Sequence, residues 1–581
     1  MKSPPVSHNA LSSDNSAAPE MSQQEEPVRE QTAITDFDTI RRSFSFWAII
    51  VGLGVMLLLA ALENSVLVTS APSILAEIPL GDDWIWLTNA FFLASAAFQP
   101  LLGQLTNLYG RRWTTIGVIV IFIVGSTICG VATNTAMLLA GRAVQGIGSG
   151  GILMAYDTIV SDLVPLRYRG NYIAVILLIY SIGLTLGPLV GGVIVDKTTW
   201  RWVFYINLPV GAVSLAVMYF YLHLNYRSEG AAKSRLMRID MIGNLILIGS
   251  SVSMLIALTY AGTRHPWSSW NTLVPLLVGF AGFLLFGAFE NSRFAPLEPV
   301  MPPRLFNNRT SVIIAINTFL FTAVLYWTLF FLPVYFQTVA LTSPTRAGVN
   351  LIPVSLLGVP AAAAAAAAVT RWGKSKLIHI IGLALFTLGQ GLFSRLDEDS
   401  TTAEFVGYIF VGPIGGGILL NTQLPAFQAP ASEADQAAAT ASWNFIRTLG
   451  GVWGVAIPAA IFANRVDGLI HGGGAISNPL AAEALVGGGA YEFASAQFVE
   501  SFPATDQVEI RAVYRLAYQR VQLVSLAFVG FALLLCLFER DVVLRTELVT
   551  DYGLKEKKST RAADPEEGPA EGEVSDRHRS D

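Results

Sequence analysis

Two ionisable residues interrupt long apolar stretches of the sequence. Glu63 lies near the middle of the first stretch, and Arg142 lies in the fourth, after the uncharged residues 138–141. A permanent charge is strongly disfavoured inside a lipid bilayer, whereas a carboxyl group that binds and releases a proton can be accommodated there. Glu63 is therefore our first candidate for a proton carrier. Two simpler interpretations stay open: a neighbouring helix neutralises Glu63, or Arg142 extends to the external interface.

A second acidic residue, Asp157, lies in an apolar part of the fourth stretch. It is closer to the predicted cytoplasmic end than Arg142 is. Asp157 could handle protons directly, or it could be a solvated helix-end group that pairs with Arg167 or Arg169. The sequence leaves both interpretations open.

Several polar residues at membrane depth are candidates for contacts in a substrate cavity. A drug-sized pocket combines apolar walls with a few polar groups, although each such group could instead bond to another helix. The candidates are Asn64, Gln145, Asn421, Gln423 and Asn444. Arg447 is expected toward the cytoplasmic side, and Tyr326 is a candidate for an aromatic wall.

The composition indicates what must position these residues. Of the 581 residues, 53% are hydrophobic and 14% are charged, and the mean hydropathy is +0.52. A chain this apolar cannot bury its hydrophobic surface in one soluble core, so lipid must cover much of it. The net charge of −5 gives no reason to expect nucleic-acid binding. The polar first forty or so residues contain no visible cleavable signal peptide.

A membrane-spanning helix needs about 20 mostly apolar residues. That criterion predicts fourteen spans, at residues 46–76, 84–105, 114–133, 136–162, 171–195, 203–225, 240–261, 272–290, 310–333, 346–369, 376–395, 404–425, 438–463 and 520–539. Basic residues collect in the short loops on one side if the N-terminus is cytoplasmic. An even number of spans then returns the C-terminus to the cytoplasm.

The loop between the second and third spans carries turn residues and paired cations. Glycines suit a tight hairpin and arginines favour the cytoplasmic side, so a plain positive-inside loop is one interpretation. The residues are Gly103, Asn107, Gly110, Arg111 and Arg112.

The fifth span contains glycines at regular intervals. Gly183, Gly187 and Gly191 recur every four residues, so they share one helix face and permit close contact with another helix. Pro188 adds a kink or swivel point, and Gly192 follows the last glycine of the face. A generic packing face explains the glycines by themselves.

Together these segments resemble the major facilitator superfamily over about residues 45–540. The resemblance rests on the loop at 103–112, Arg142 with Gln145 and Gly146, the string 183–192, and the segment 62–74 around Glu63. It is closest to the fourteen-helix drug:proton antiporter-2 branch and to fungal multidrug and toxin efflux pumps. Those relatives usually have aspartate where this sequence has Asn107 and Glu63. Because Asn107 carries no charge, we assign the loop at 103–112 only a structural gating role.

The resemblance implies an all-α polytopic membrane protein with the major facilitator fold, two six-helix bundles and two inserted helices. The implied domains are a disordered cytoplasmic tail at 1–44, an N-terminal bundle at 45–226, linkers with the two extra helices at 227–309, a C-terminal bundle at 310–540 that includes an external loop at 464–519, and a disordered cytoplasmic tail at 541–581.

The implied function is proton-coupled export of small, mostly hydrophobic organic molecules by alternating access. Glu63, Arg142 and Asp157 would couple protons, and the string 183–192 is the motif that accompanies exporters in the family. The expected setting is a monomer in the plasma membrane. A vacuolar amino-acid or siderophore carrier and a non-transporting sensor stay open as alternatives. The sequence contains no Walker-type loop, nucleophile elbow or metal-ligand spacing, so we expect neither an enzyme nor a cofactor.

Overall fold

A computed structural model describes residues 41–78, 86–224, 239–261, 265–292, 299–432 and 435–542, together with Phe294, Pro296 and Leu544. Within this part the chain is helical, and a bridge between extended residues joins Ala261 and His265. Most of the two tails predicted at 1–44 and 541–581 lies outside the described residues, as does 225–238 in the linker.

The N-terminal half is built from five long helices and two shorter helices that follow each other along the chain. Its helices are α1 (Phe44–Glu77), α2 (Trp86–Tyr109), α3 (Arg111–Gly130), α4 (Thr135–Leu163), α5 (Arg169–Lys197), α6 (Arg201–Tyr205) and α7 (Asn207–Tyr221). Ile206 joins α6 and α7 with helical dihedral angles, so together they cover one span. The turn between α2 and α3 is made by Gly110, whose φ of 85° suits a residue without a Cβ.

The inserted pair and the C-terminal half follow in the predicted order. Their long helices are α8 (Met241–Tyr260), α9 (Trp270–Glu290), α10 (Arg309–Thr338), α11 (Pro344–Trp372), α12 (Lys376–Phe393), α13 (Thr402–Gln428), α14 (Gln436–Gly473) and α18 (Ala504–Leu537). Between α14 and α18 lie three short helices, α15 (Pro479–Leu485), α16 (Gly489–Glu492) and α17 (Ala496–Glu500).

Helices occupy all fourteen predicted spans. Eleven helices of the described part, with α6 and α7 taken as one, are long and apolar enough to cross a membrane. The helices in the other three predicted spans are α2, α4 and α5. In α5 the apolar stretch among the described residues is Arg169–Leu184. Helix α4 is more polar because it carries Arg142, Asp157 and Asp162, all of which are buried. Its polar face therefore points into protein and away from lipid.

Each half has its own hydrophobic core. In the N-terminal half α1 packs along α5, and α4 packs against α2 and α3. In the C-terminal half α10 packs against α14, and α13 packs between α11 and α12. The inserted helix α8 is tied to α2 by three side-chain hydrogen bonds: Trp86 to Tyr260 at 2.6 Å, Asn89 to Thr259 at 3.1 Å and Asn244 to Gln104 at 2.7 Å.

The segment predicted as a loop at 464–519 includes the ends of two long helices, so the connection between them is shorter than predicted. Helix α14 continues to Gly473 and α18 already begins at Ala504. The residues between them bury Leu485 and Val499 against the core of the C-terminal half. The hydroxyl of Tyr514 donates to the carbonyl of Ala490 at 2.8 Å. These apolar and polar contacts explain why a glycine-rich segment forms a compact cap.

Candidate functional site

The structure brings Glu63 and Arg142 together in the core of the N-terminal half. Both side chains are buried, and they form an ion pair between α1 and α4. The carboxylate also accepts a hydrogen bond from Nδ2 of Asn207 at 2.6 Å. Arg142 donates to Gln145 at 2.7 Å, and Gln145 donates to Ser126 at 2.7 Å. Four elements, α1, α3, α4 and α7, thus hold one charged network.

Arg142 does not extend to the interface. Its Nε donates to the carbonyl of Leu87 at 2.8 Å, and its guanidinium lies 4.5 Å from the ring centroid of Phe91. These contacts hold the guanidinium inside the bundle. The neighbour that neutralises Glu63 is therefore an arginine, so a proton that binds the carboxyl must compete with this ion pair.

The glycine face of α5 lies against the turn of α1 that carries Glu63. A Cβ at Gly183 would lie 2.8 Å from Cβ of Ala61, and a Cβ at Gly187 would lie 1.8 Å from Oγ of Ser65. Because a side chain fits at neither position, the backbones of α1 and α5 approach closely here. The hydroxyl of Ser65 donates across the gap to the carbonyl of Gly183 at 3.3 Å.

The rest of the glycine string is less constrained. Gly191 is buried, as its place on the same face predicts. Gly192 has open space around the position of a Cβ, so packing does not require glycine there. Pro188 is part of α5, and its side chain is outside the described residues.

The loop between α2 and α3 is centred on Arg111. Its guanidinium pairs with Asp162 of α4 at 2.7 Å and is buried. It also donates to Oδ1 of Asn107 at 3.0 Å and to the carbonyl of Thr106 at 3.2 Å. Asn107 thus contacts the cation as a neutral acceptor, while Asp162 supplies the negative charge.

The outer residues of this loop contact other elements. A Cβ at Gly103 would lie 2.5 Å from Cβ of Ala441 in α14, so this glycine lets the two halves meet. Arg112 donates to the carbonyl of Tyr219 at 2.7 Å and lies over the rings of Trp113 and Tyr219 at 5.5 and 5.2 Å. The loop therefore links α2 and α3 to α7 and to the opposite half.

Removal of the Asp162 charge tests the loop directly. Asp162→Asn removes the carboxylate from the buried Arg111–Asp162 pair, and breaking a buried pair costs about 3–5 kcal/mol. We expect lower thermal stability and weaker transport. The double variant Asn107→Asp with Asp162→Asn should recover most of both, because Oδ1 at position 107 already lies 3.0 Å from the guanidinium. A double variant as impaired as the single one would contradict this account; thermal denaturation and efflux measure the two effects.

Further contacts join the two halves at the same end of the molecule. Nε of Arg167 donates to the carbonyl of Thr370 at 2.5 Å, and its Nη2 donates to that of Arg371 at 2.9 Å. Arg169 donates to Gln428 at 2.6 Å. The interpretation that pairs Asp157 with Arg167 or Arg169 differs from the structure, in which both arginines donate to acceptors of the C-terminal half. These contacts close the end at which α1 begins.

Asp157 instead belongs to the interface between the halves. Its carboxylate is buried and accepts from Nδ2 of Asn444 in α14 at 3.0 Å. The guanidinium of Arg447 attracts it electrostatically. Asp157 is thus not a solvated helix-end group, since it connects α4 to α14 inside the protein.

The polar cavity candidates separate into two groups. Asn421 donates to the carbonyls of Gly170 and Ala362 at 2.8 and 3.3 Å. Gln423 accepts from Thr318 at 3.1 Å. Both side chains are buried and bonded between helices. Asn64, in contrast, is partly exposed and interacts with Tyr180 of α5.

The C-terminal half contains a polar cluster without charge. Thr328 of α10 donates to Gln390 of α12 at 3.1 Å, and Ser525 of α18 donates to the same oxygen at 3.4 Å. All three residues are buried, as is the neighbouring Gln522. Thr328 lies as far from the start of α10 as Glu63 lies from the start of α1. Each half thus has a buried polar cluster, and the N-terminal one contains the ion pair of Glu63 and Arg142.

Sequence reasoning missed several of these residues. Asn207 and Ser126 complete the Glu63 network, and Tyr180 lies between the halves. Each is a polar residue inside an apolar span, which is the one signal that could have identified it. That signal cannot say which helix supplies the partner.

The comparison with known proteins agrees with this geometry. The profile of the Major Facilitator Superfamily matches residues 53–455, which is more than half of the chain. The chain belongs to the major facilitator superfamily. The predicted family and fold are thereby confirmed, and the protein is a membrane transporter, because this family transports solutes and does not catalyse reactions.

Similar proteins in the superfamily include fungal transporters. The MFS-type transporter TwmF of Talaromyces wortmannii is 52% identical over 523 residues, which cover 90% of this chain and 95% of that protein. Efflux pump FUS6 of Gibberella moniliformis (strain M3125 / FGSC 7600) is 40% identical over 554 residues, with coverage of 95% and 96%. The crystal structure of the human organic anion transporter MFSD10 (TETRAN) matches with a TM-score of 0.55 and 14% identity, covering 84% of this chain and 99% of that one. That likeness shows the fold alone.

Proposed function

We propose that this transporter exports small, mostly hydrophobic organic molecules, such as drugs, toxins or secondary metabolites, by proton antiport. The observation that carries the proposal is the buried pair of Glu63 and Arg142 inside the transporter fold. A titratable carboxyl at membrane depth is the expected means of proton coupling. The direction of transport is supported by relatives that are named efflux pumps.

In the proposed cycle the carboxyl group of Glu63 either binds a proton or forms the ion pair with Arg142. In the outward-open state the carboxyl accepts an external proton and the substrate leaves. In the inward-open state the proton escapes to the cytosol, the ion pair with Arg142 forms again, and a new substrate binds. Because α5 packs on the turn of α1 that carries Glu63, a change in the ion pair can alter the contact between these helices.

Alternating access requires the closed end to open. In the proposed orientation, with both termini in the cytoplasm, that end is the cytoplasmic one. Opening toward the cytosol must break the bonds of Arg167 and Arg169 to the opposite half. We further propose that the protein works as a monomer in the plasma membrane, with the vacuolar membrane as the alternative.

The test is substrate accumulation in cells that lack their own efflux pumps. The cells express the transporter or an empty vector and receive a chemically varied panel with and without a protonophore. We expect at least one compound to accumulate less in the expressing cells and to return to the empty-vector level when the proton gradient collapses. Reduced accumulation that a protonophore does not reverse would refute proton antiport. No reduction for any compound, with the protein at the cell surface, would refute export.

A further inference from the structure

The proposed proton site leaves a second membrane-embedded cation unexplained. Arg447 lies on α14, about 16 Å along the helix from its first residue at 1.5 Å per residue. This position falls inside the span predicted at 438–463, so Arg447 is a cation within an apolar helix. The guanidinium lies 4.9 Å from the ring centroid of Trp443 and interacts with Tyr156 of α4.

Arg447 lines a space between the two halves. Its side chain is surrounded by protein yet keeps partly accessible surface, and the same is true of Tyr180 on α5 and Tyr326 on α10. These three helices come from opposite halves. Side chains that are both enclosed and accessible face an internal space, which is where this fold places its substrate.

The donors of Arg447 are not consumed by a counterion. Arg142 and Arg111 each form an ion pair with a buried carboxylate, at Glu63 and Asp162. Within the part of the chain that the structure describes, no carboxylate oxygen lies within 4.0 Å of the Arg447 guanidinium. Asp157 attracts it from a greater distance while bonded to Asn444. A guanidinium has five N–H donors, so several of them can bind a ligand.

We propose that Arg447 binds an acidic group of the transported molecule, a carboxylate or an acidic enol attached to an apolar body. The planar guanidinium matches such an anion through two parallel hydrogen bonds. Tyr180 and Tyr326 contact the apolar body from opposite halves. Asp157, behind the guanidinium, balances its charge while the site is empty. The proposal rests on the proposed function, since it names the substrate class of the same transporter.

The experiment compares acids with their esters. A panel of fluorescent aryl carboxylic acids, each with its methyl ester, is titrated against purified full-length protein in detergent. We expect at least one acid to bind about 10- to 100-fold more tightly than its ester, the range for a hydrogen bond to a charged group. Arg447→Met should remove this preference while ester binding stays unchanged. Arg447→Lys should keep part of it, since a point charge cannot bind bidentately.

Arg465 provides a matched control, because it is an exposed arginine on the same helix. Arg465→Met should leave the acid preference intact. Unchanged ester binding by Arg447→Met shows that this variant is folded, and Arg447→Lys gives a second test if it is not. The proposal is overturned if no acid binds more tightly than its ester, or if Arg447→Met weakens both equally. Binding needs no proton gradient, so failure of proton antiport in the accumulation assay is a separate result.

Discussion

Replacement of Glu63 by glutamine is expected to abolish uphill efflux while substrate exchange across the membrane continues. Glutamine keeps the length of the side chain but cannot bind and release a proton. One proton moved through 100 mV supplies about 2.3 kcal/mol, enough for a substrate gradient of roughly 50-fold. The variant should sustain no gradient. Efflux from cells, and exchange of labelled substrate in proteoliposomes without a proton gradient, measure the two activities.

The control for this variant is Glu77→Gln on the same helix. Glu77 lies beyond the span, half exposed, where it pairs with Arg201 at 2.7 Å and accepts from Trp200 at 2.6 Å. These hydrogen bonds lower the pKa of Glu77, so this carboxylate does not take up a proton near neutral pH. We expect its amide variant to transport normally. Uphill efflux by Glu63→Gln at the normal level would eliminate Glu63 as the proton carrier.

A second variant distinguishes loss of proton binding from misfolding. Glutamine leaves Arg142 buried with a weaker partner, and loss of a buried counterion can cost about 3–5 kcal/mol. Glu63→Asp keeps a titratable carboxyl that is one methylene shorter. It should retain uphill efflux at a lower rate. If Glu63→Gln were unstable and Glu63→Asp were as inactive as an alanine variant, a purely structural role would explain both.

The second large effect is expected from Gly187→Ala. A Cβ at this position would lie 1.8 Å from Oγ of Ser65 and 2.7 Å from its Cβ, so α5 must move away from α1. Overpacking of this kind costs roughly 1–3 kcal/mol, which corresponds to about a 5- to 150-fold bias against the packed arrangement. We expect a lower thermal midpoint and at least about a fivefold loss of efflux.

Gly192→Ala is the matched control, since it makes the same change on the same helix in open space. Alanine is favoured over glycine in a helix by about 0.5–1 kcal/mol, so this variant should be neutral or slightly more stable. Ser65→Gly combined with Gly187→Ala should restore efflux, because it removes the atoms that clash. Equal behaviour of the two alanine variants would show that the close contact of α1 and α5 is unimportant.

The sequence predicted the helices well because apolar length is a local property. All fourteen spans correspond to helices, and the glycine spacing in α5 predicted the close contact that the structure shows at Gly183 and Gly187. The external loop was predicted less well. Its short helices depend on burial of residues such as Leu485 against a distant part of the chain, which no local pattern records.

Partners across helices could not be predicted for the same reason. The pairing of Glu63 with Arg142 joins residues 79 positions apart, and that of Asp157 with Asn444 joins residues 287 positions apart. Periodicity gives the face of a helix on which a residue lies but not the helix that it meets. Asn421, a cavity candidate, donates to two backbone carbonyls, and depth in the membrane could not predict those acceptors.

The uncharged cluster around Thr328 and Gln390 has a consequence for how the cargo of this transporter can change. Internal repeats are common in transporters of this kind, and here the two halves differ in how their clusters are charged. Only the cluster at Glu63 and Arg142 contains an ion pair. Under the proposed proton antiport, the energy supply therefore depends on the first bundle. Substitutions in the second bundle can then alter the range of cargo without removal of the proton site.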